Sequence, residues 1–210
     1  IAAVDDHRQP IPGTEEYIEC DTVLLSVGLI PENEVSIAAG VQMDSITSGP
    51  TVNQNMETSL AGIFACGNSV HVHDLVDYVT EESLLAGARA ATYVKGVKEG
   101  KTSGGETTVL SVTPGNRVRY TVPQHVDITK DAPVNEEDDT VMLMFRATDV
   151  YHSVTVGVYS GNTLICQQKK RVVRPGEMQT INLKAKDMAK LRETKQPVTV
   201  SIELPEDSID

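Results

Sequence analysis

The chain has 210 residues, with 18 Lys plus Arg against 30 Asp plus Glu and a formal net charge of −12. Hydrophobic residues make up 40%, charged residues 23% and aromatic residues 4%. That balance excludes general disorder and allows one large or two ordinary domains. The acidic balance argues against nucleic acid as the main partner, because phosphate recognition needs clustered Lys and Arg. No run of about 18 apolar residues occurs, so no membrane span is expected.

The chain opens on Ile rather than Met, and no basic region leads into an apolar run. The start therefore reads as the interior of a longer protein, with no signal peptide in view. Cys20, Cys66 and Cys166 are far apart and form no CxxC or metal-ligand spacing. An odd number of cysteines without a leader suggests reduced thiols and a cytoplasmic setting. Each cysteine reads as a small buried hydrophobe.

Ala2–Asp5 to Tyr17–Ile18 reads as strand, turn, strand, with Pro10, Pro12 and Gly13 in the turn. Thr22-Val-Leu-Leu-Ser-Val-Gly28 reads as a strand buried on both faces. Pro31 ends regular structure. Thr51–Asn53 reads as a short extended stretch, and Ile63-Phe-Ala-Cys-Gly67 as a second buried strand stopping at a glycine. The polar stretch from Asn68 to Thr80 follows. A helix is then expected with Thr80 as N-cap and Glu81 and Glu82 at the positive end of its dipole. Leu84, Ala88, Ala91 and Val94 keep one face apolar, and Gly96 fits the C-terminal glycine position.

Two motifs in this half carry a resemblance. Cys20-Asp-Thr-Val-Leu-Leu-Ser-Val-Gly-Leu-Ile-Pro-Glu-Asn33 resembles the end of the NAD(P)-binding domain in the pyridine nucleotide-disulfide oxidoreductases. Thr58-Ser-Leu-Ala-Gly-Ile-Phe-Ala-Cys-Gly-Asn68 is similar to their second FAD motif, and the spacing between the two also fits. The stretch His71 to Glu82 is similar to a bacterial subgroup of FAD-dependent, NAD(P)-linked oxidoreductases. The resemblance implies a Rossmann-like α/β portion and assigns cofactor contacts to Gly67, Asn68, Val79, Thr80 and Glu81. Gly67 would let the backbone approach the flavin's sugar chain. Asn68 stands where the family has Asp, and its amide oxygen can still accept a hydrogen bond from a ribityl hydroxyl. Backbone N–H groups of Val79, Thr80 and Glu81 would face the pyrimidine edge of the flavin at the helix start.

Other residues of the stretch have plainer readings. His71 and His73 with Asp74 and Asp77 have metal-ligand side chains, but no third strong ligand is obvious. No metal is therefore expected; the stretch reads as a polar loop near the flavin, where one His can relay protons. Cys66 reads as packing rather than redox chemistry. The family's GxGxxG fingerprints and any redox CxxC are not in these 210 residues.

Most of the acidic excess falls in residues 1–105. The Gly-, Lys- and Ser-rich segment 95–106 at the shift reads as a linker. Beyond it, strands are expected at Thr107–Val112, Arg117–Val122, Thr140–Ala147, Ser153–Tyr159, Thr163–Gln168, Glu177–Leu183 and Pro197–Glu203. Asn135–Asp139 reads as a solvated acidic loop, and Lys186–Leu191 as a short helix. Ser160-Gly-Asn162 closes an expected hairpin. Seven or so strands at regular spacing point to an all-β sandwich, immunoglobulin-like in outline. Lys169-Lys-Arg171 and Arg174 read as charges protecting a strand edge.

The expected fold class is α+β: residues 1–37 end an NAD(P)-binding domain, 38–104 return to a FAD-binding domain, and 105–210 form the sandwich. The expected function is the C-terminal part of a flavoprotein oxidoreductase. It passes electrons from NAD(P)H through FAD to a disulfide, a quinone or a partner protein, with the sandwich serving docking or assembly. The isolated chain is expected to be inactive, and a homo-oligomer stays open. The alternative is a non-catalytic interaction module in which the sandwich acts and the first half is a docking platform.

Overall fold

Val141-Met-Leu-Met-Phe145 is apolar at every position, and the structure uses both of its faces. The computed structural model describes residues 1–5, 9–26, 28–100, 107–129 and 140–205. Among them are strands β1 (Thr107–Pro114), β2 (Val118–Val122), β3 (His125–Thr129), β4 (Val141–Ala147), β5 (Tyr151–Ser160), β6 (Thr163–Val173), β7 (Gln179–Leu183) and β8 (Val198–Glu203). They form a five-stranded sheet in the order β3-β1-β8-β5-β6 and a three-stranded sheet in the order β2-β4-β7. All neighbours are antiparallel except β1 and β8, which run parallel.

The two sheets close on one core. Leu143 and Phe145 of β4 meet Val154, Val156 and Val158 of β5, Leu183 of β7, and Val198, Val200 and Ile202 of β8. Period-two alternation puts Met144 on the opposite face of β4. There it joins a second core, with Tyr120, Val122 and Met178 from this half and Val52, Met56, Val70 and Ala86 from the first. A strand covered on both sides needs apolar residues throughout. This second core fastens the halves together.

The strands expected beyond the linker are present, with longer limits for β1, β5 and β6. β3 is an addition. Ser160–Thr163 close the β5–β6 hairpin, and Lys186–Leu191 fall in helix α3 (Ala185–Thr194). Asp187 accepts the Lys184 N–H at 3.0 Å, a side-chain cap at the helix start. β6 is an edge strand, and Lys169 and Arg171 on it are exposed. Asn135–Asp139 lie outside the described residues, as do Lys101–Glu106 of the expected linker. The structure is thus a mixed α+β fold with two sheets and few helices. No described helix is long and apolar enough to cross a membrane.

The first half differs more from expectation. It holds a short helix α1 (Glu34–Ala38), a 3-10 turn at Gly67–Ser69 and the long helix α2 (Val76–Lys98). Thr22–Gly28 forms no strand among its described residues, and Leu24 is 91% exposed. Val4 with Pro10, Val52 with Thr58 and Glu57 with Phe64 make isolated bridges instead of ladders. The reason is pairing: a buried strand needs neighbours for its backbone groups, and no described segment lies alongside Val23–Leu25.

Helix α2 starts at Val76, four residues before Thr80. The Thr80 hydroxyl donates to the Val76 carbonyl at 3.1 Å rather than capping the helix. Its C-terminus also moves, from Gly96 to Gly100 beyond the cap at Glu99, where φ is +66°. The face expected to be apolar inside is turned out. Leu84 is 70% exposed and Val94 49% exposed, while Glu82 and Ala86 point inward.

Candidate functional site: the glycine turn and the start of the long helix

Gly67 is buried with φ +68°, a backbone conformation that L residues with a side chain rarely adopt. A Cβ there would also lie 3.2 Å from Cγ1 of Val79. Asn68 is exposed, and its Oδ1 accepts the His73 N–H at 3.1 Å. The turn therefore folds the chain back so that residues 71–73 run beneath α2. Asn33 braces it from the other motif: its Nδ2 donates to the Ser69 carbonyl at 2.8 Å and to the Ser48 carbonyl at 3.1 Å. The Pro-Glu-Asn33 segment and the Gly67-Asn68 segment thus meet in space.

The side chain at the centre is Glu82. It projects from α2 and is 1% exposed, as is His71. One carboxylate oxygen lies 2.7 Å from His71 Nε2. The other accepts the Gly67 N–H at 2.7 Å and lies 3.2 Å from His73 Nε2. Burial alone would raise the Glu82 carboxyl, but the hydrogen bond from His71 and the closeness of both imidazoles outweigh it and bring it down to about 2. Burial also lowers His71, more than Glu82 raises it. At neutral pH the pair is therefore a carboxylate facing a neutral imidazole, whose Nε2–H donates.

The β half closes this site from the other side. Arg146 on β4 donates from Nε to the Tyr120 hydroxyl at 3.0 Å, from one terminal nitrogen to the Pro175 carbonyl at 3.0 Å, and from the other to the Val72 carbonyl at 3.0 Å. That last nitrogen also reaches Asp74 at 3.3 Å. Asp74 in turn accepts the Met178 N–H. Next to this clamp, Val52 N–H donates to Gln124 Oε1 at 3.0 Å, Asn53 donates to Asp127 at 2.7 Å, and Gln54 exchanges two bonds with the Asp127 backbone.

Of the residues expected to contact a cofactor, Gly67 and Asn68 sit together at the turn. Val79, Thr80 and Glu81 lie in the second turn of α2, where their N–H groups enter the helical ladder. The unpaired N–H groups at the helix start belong instead to Leu75–Tyr78, and no side chain caps them. Sequence reasoning missed Glu82, Asn33 and Arg146. The Glu in the helix looked like a dipole complement, and its pairing with the His-x-His segment is made by tertiary folding.

A glycine turn leading to the exposed N-terminus of a long helix is the kind of element with which α/β dinucleotide-binding proteins hold a cofactor. Residues 1–100 match the family model described as pyridine nucleotide-disulphide oxidoreductase. No solved structure matches the chain.

Proposed function

We propose that the chain is the C-terminal part of a FAD-dependent NAD(P)H oxidoreductase: residues 1–37 end the NAD(P)-binding domain, 38–104 complete the FAD-binding domain and 105–210 form the β domain. The observation that carries this reading is the Gly67 turn, held by Glu82 and Asn33, feeding an uncapped helix start at Leu75–Tyr78. A flavin fits such a place: the glycine turn bears no Cβ, Asn68 is exposed beside it, and free N–H groups stabilise negative charge. Bound FAD would supply hydride acceptance from NAD(P)H and electron transfer onward. This chain's share is to orient the cofactor with Gly67, Asn68 and the first turn of α2. That moves the proposed pyrimidine contact about one helical turn ahead of Val79, Thr80 and Glu81.

The exposed apolar residues Leu24, Leu25, Leu84 and Val94 support the same reading. They are what an α/β sheet and its helices cover when complete. We read the β domain as a sandwich, immunoglobulin-like in outline. Its β2–β4 face is occupied by the first half through the second core and Arg146. A brace for the flavin-side loop is therefore its first role, with docking left to its other faces. The electron acceptor is a disulfide, a quinone or a partner protein.

The test uses the complete protein. It is expected to carry bound FAD and to reduce an artificial dye with NADH or NADPH. Gly67→Val is expected to lose the flavin, because the new side chain meets both the wrong backbone region and the cofactor's space. A complete protein without flavin, or a Gly67→Val variant that retains it fully, would overturn the proposal.

A further inference from the structure

We propose that His71, His73 and Glu82 form a binding site for one divalent first-row metal ion, best suited to Zn2+. Two imidazoles and a carboxylate are a recurrent zinc donor set. His-x-His on an extended segment puts both rings on one side of the chain, and Glu82 of α2 meets them there. The three ligand atoms lie within 4.8 Å of one another. The ring centroids of the two histidines are 4.3 Å apart.

Ligand placement is close to what an ion needs. Tetrahedral Zn2+ with ligand distances near 2.0–2.1 Å separates its ligand atoms by about 3.3 Å. His73 Nε2 and Glu82 are already 3.2 Å apart. His71 Nε2 and Glu82, at 2.7 Å, must open by about 0.6 Å as the shared proton gives way to the ion. The segments that carry the ligands are held from both sides, by the Asn68 bond to His73 N–H and by Arg146 on the Val72 carbonyl.

A second observation favours the ion over a metal-free hydrogen-bonded cluster. His73 Nε2 is buried, yet it has no hydrogen-bond partner of acceptable alignment, although Glu82 is near. An imidazole nitrogen left this way costs free energy. A cation takes its lone pair directly. Cavities of about 390 Å³ beside His71 and about 270 Å³ beside Glu82 border the cluster on two sides. The ion would tie residues 71–73 to α2. None of the three ligands is itself a proposed flavin contact, although Glu82 also accepts the Gly67 N–H and Asn68 steadies His73; bound Zn2+ and bound flavin are read by separate measurements.

The experiment uses the complete protein, stripped with a chelator and reloaded with Zn2+ alone. Elemental analysis after gel filtration is expected to give one Zn2+ per chain. His73→Gln and Glu82→Gln are expected to lose it, with circular dichroism showing whether each still folds. Co2+ added to the stripped wild type provides a readout that needs no variant: tetrahedral coordination gives intense visible bands, which Zn2+ then abolishes. Absence of both bound Zn2+ and the Co2+ bands in the wild type overturns the proposal. So does equal Zn2+ retention by the folded variants, which would place the ion elsewhere.

Discussion

Arg146→Met tests how strongly the β half holds the His71–Asp74 segment. The guanidinium makes four contacts, to Tyr120, Pro175, Val72 and Asp74, and its side chain is 13% exposed. Methionine keeps most of the packing and removes every donor. The Pro175 bond is exposed and the Asp74 pair is partly so, which leaves each worth about 0–1 kcal/mol. The Tyr120 and Val72 bonds are more sheltered, at roughly 1.5 kcal/mol or more each for a charged donor. The expected loss is therefore about 3 kcal/mol, which lowers Tm by roughly 6–12 °C in a chain of this size. Arg146→Lys is expected to recover less than half, because one ammonium cannot span four acceptors set around a planar fork. Calorimetry reads the total, and amide exchange at Val72–Asp74 reads the local release. A Tm within about 2 °C of wild type, with unchanged exchange in that segment, would refute the clamp.

Three further expectations test the same frame. Asn33→Ala removes two bonds from a side chain 6% exposed; it is expected to cost about 1–3 kcal/mol by leaving the Ser48 and Ser69 carbonyls without that donor, read by chemical denaturation. Gly67→Ala is expected to destabilise the chain by about 1–2 kcal/mol from the left-handed backbone alone, before any cofactor is considered; a neutral result would remove the structural reason for the glycine. In the metal-free chain, Glu82 has a folded value near 2 against an ordinary value of 4.5. A lowered carboxyl gives stability that is complete above its unfolded value and is lost as pH falls toward the folded one. The acid limb between those values is therefore expected to flatten in Glu82→Gln, and an identical limb in both proteins would refute the assignment of that charge.

The β half was legible because its signals are local. Ser160-Gly-Asn162 between two alternating runs fixes a hairpin wherever the rest of the chain lies. Val141–Phe145 announces a strand, but its unbroken apolar pattern also says that both faces are covered, and the second cover is the first half. β3 went unread because His125-Val-Asp-Ile-Thr129 is short and follows Pro123 closely, so the proline reads as an end to the strand region. In the first half the apolar run Thr22–Gly28 states what the chain requires, namely neighbours on both sides. It does not supply them, and the exposed Leu24 is the result.

Helix α2 shows why the site was harder to read than the fold. Apolar periodicity predicts which face turns inward when burial of apolar area decides the matter. Here two buried histidines and the Gly67 N–H create a polar interior that Glu82 satisfies. An ionised carboxylate inside a protein is tolerable only with such partners. Those partners lie 9, 11 and 15 residues upstream of it, too far for any helix-capping rule and too irregular for a spacing motif. The glycine was visible as a glycine, and the His-x-His as a pair. Their meeting on Glu82 follows from the tight turn at Gly67, whose left-handed backbone favours glycine, so the residue proposed to approach the flavin also assembles the buried cluster.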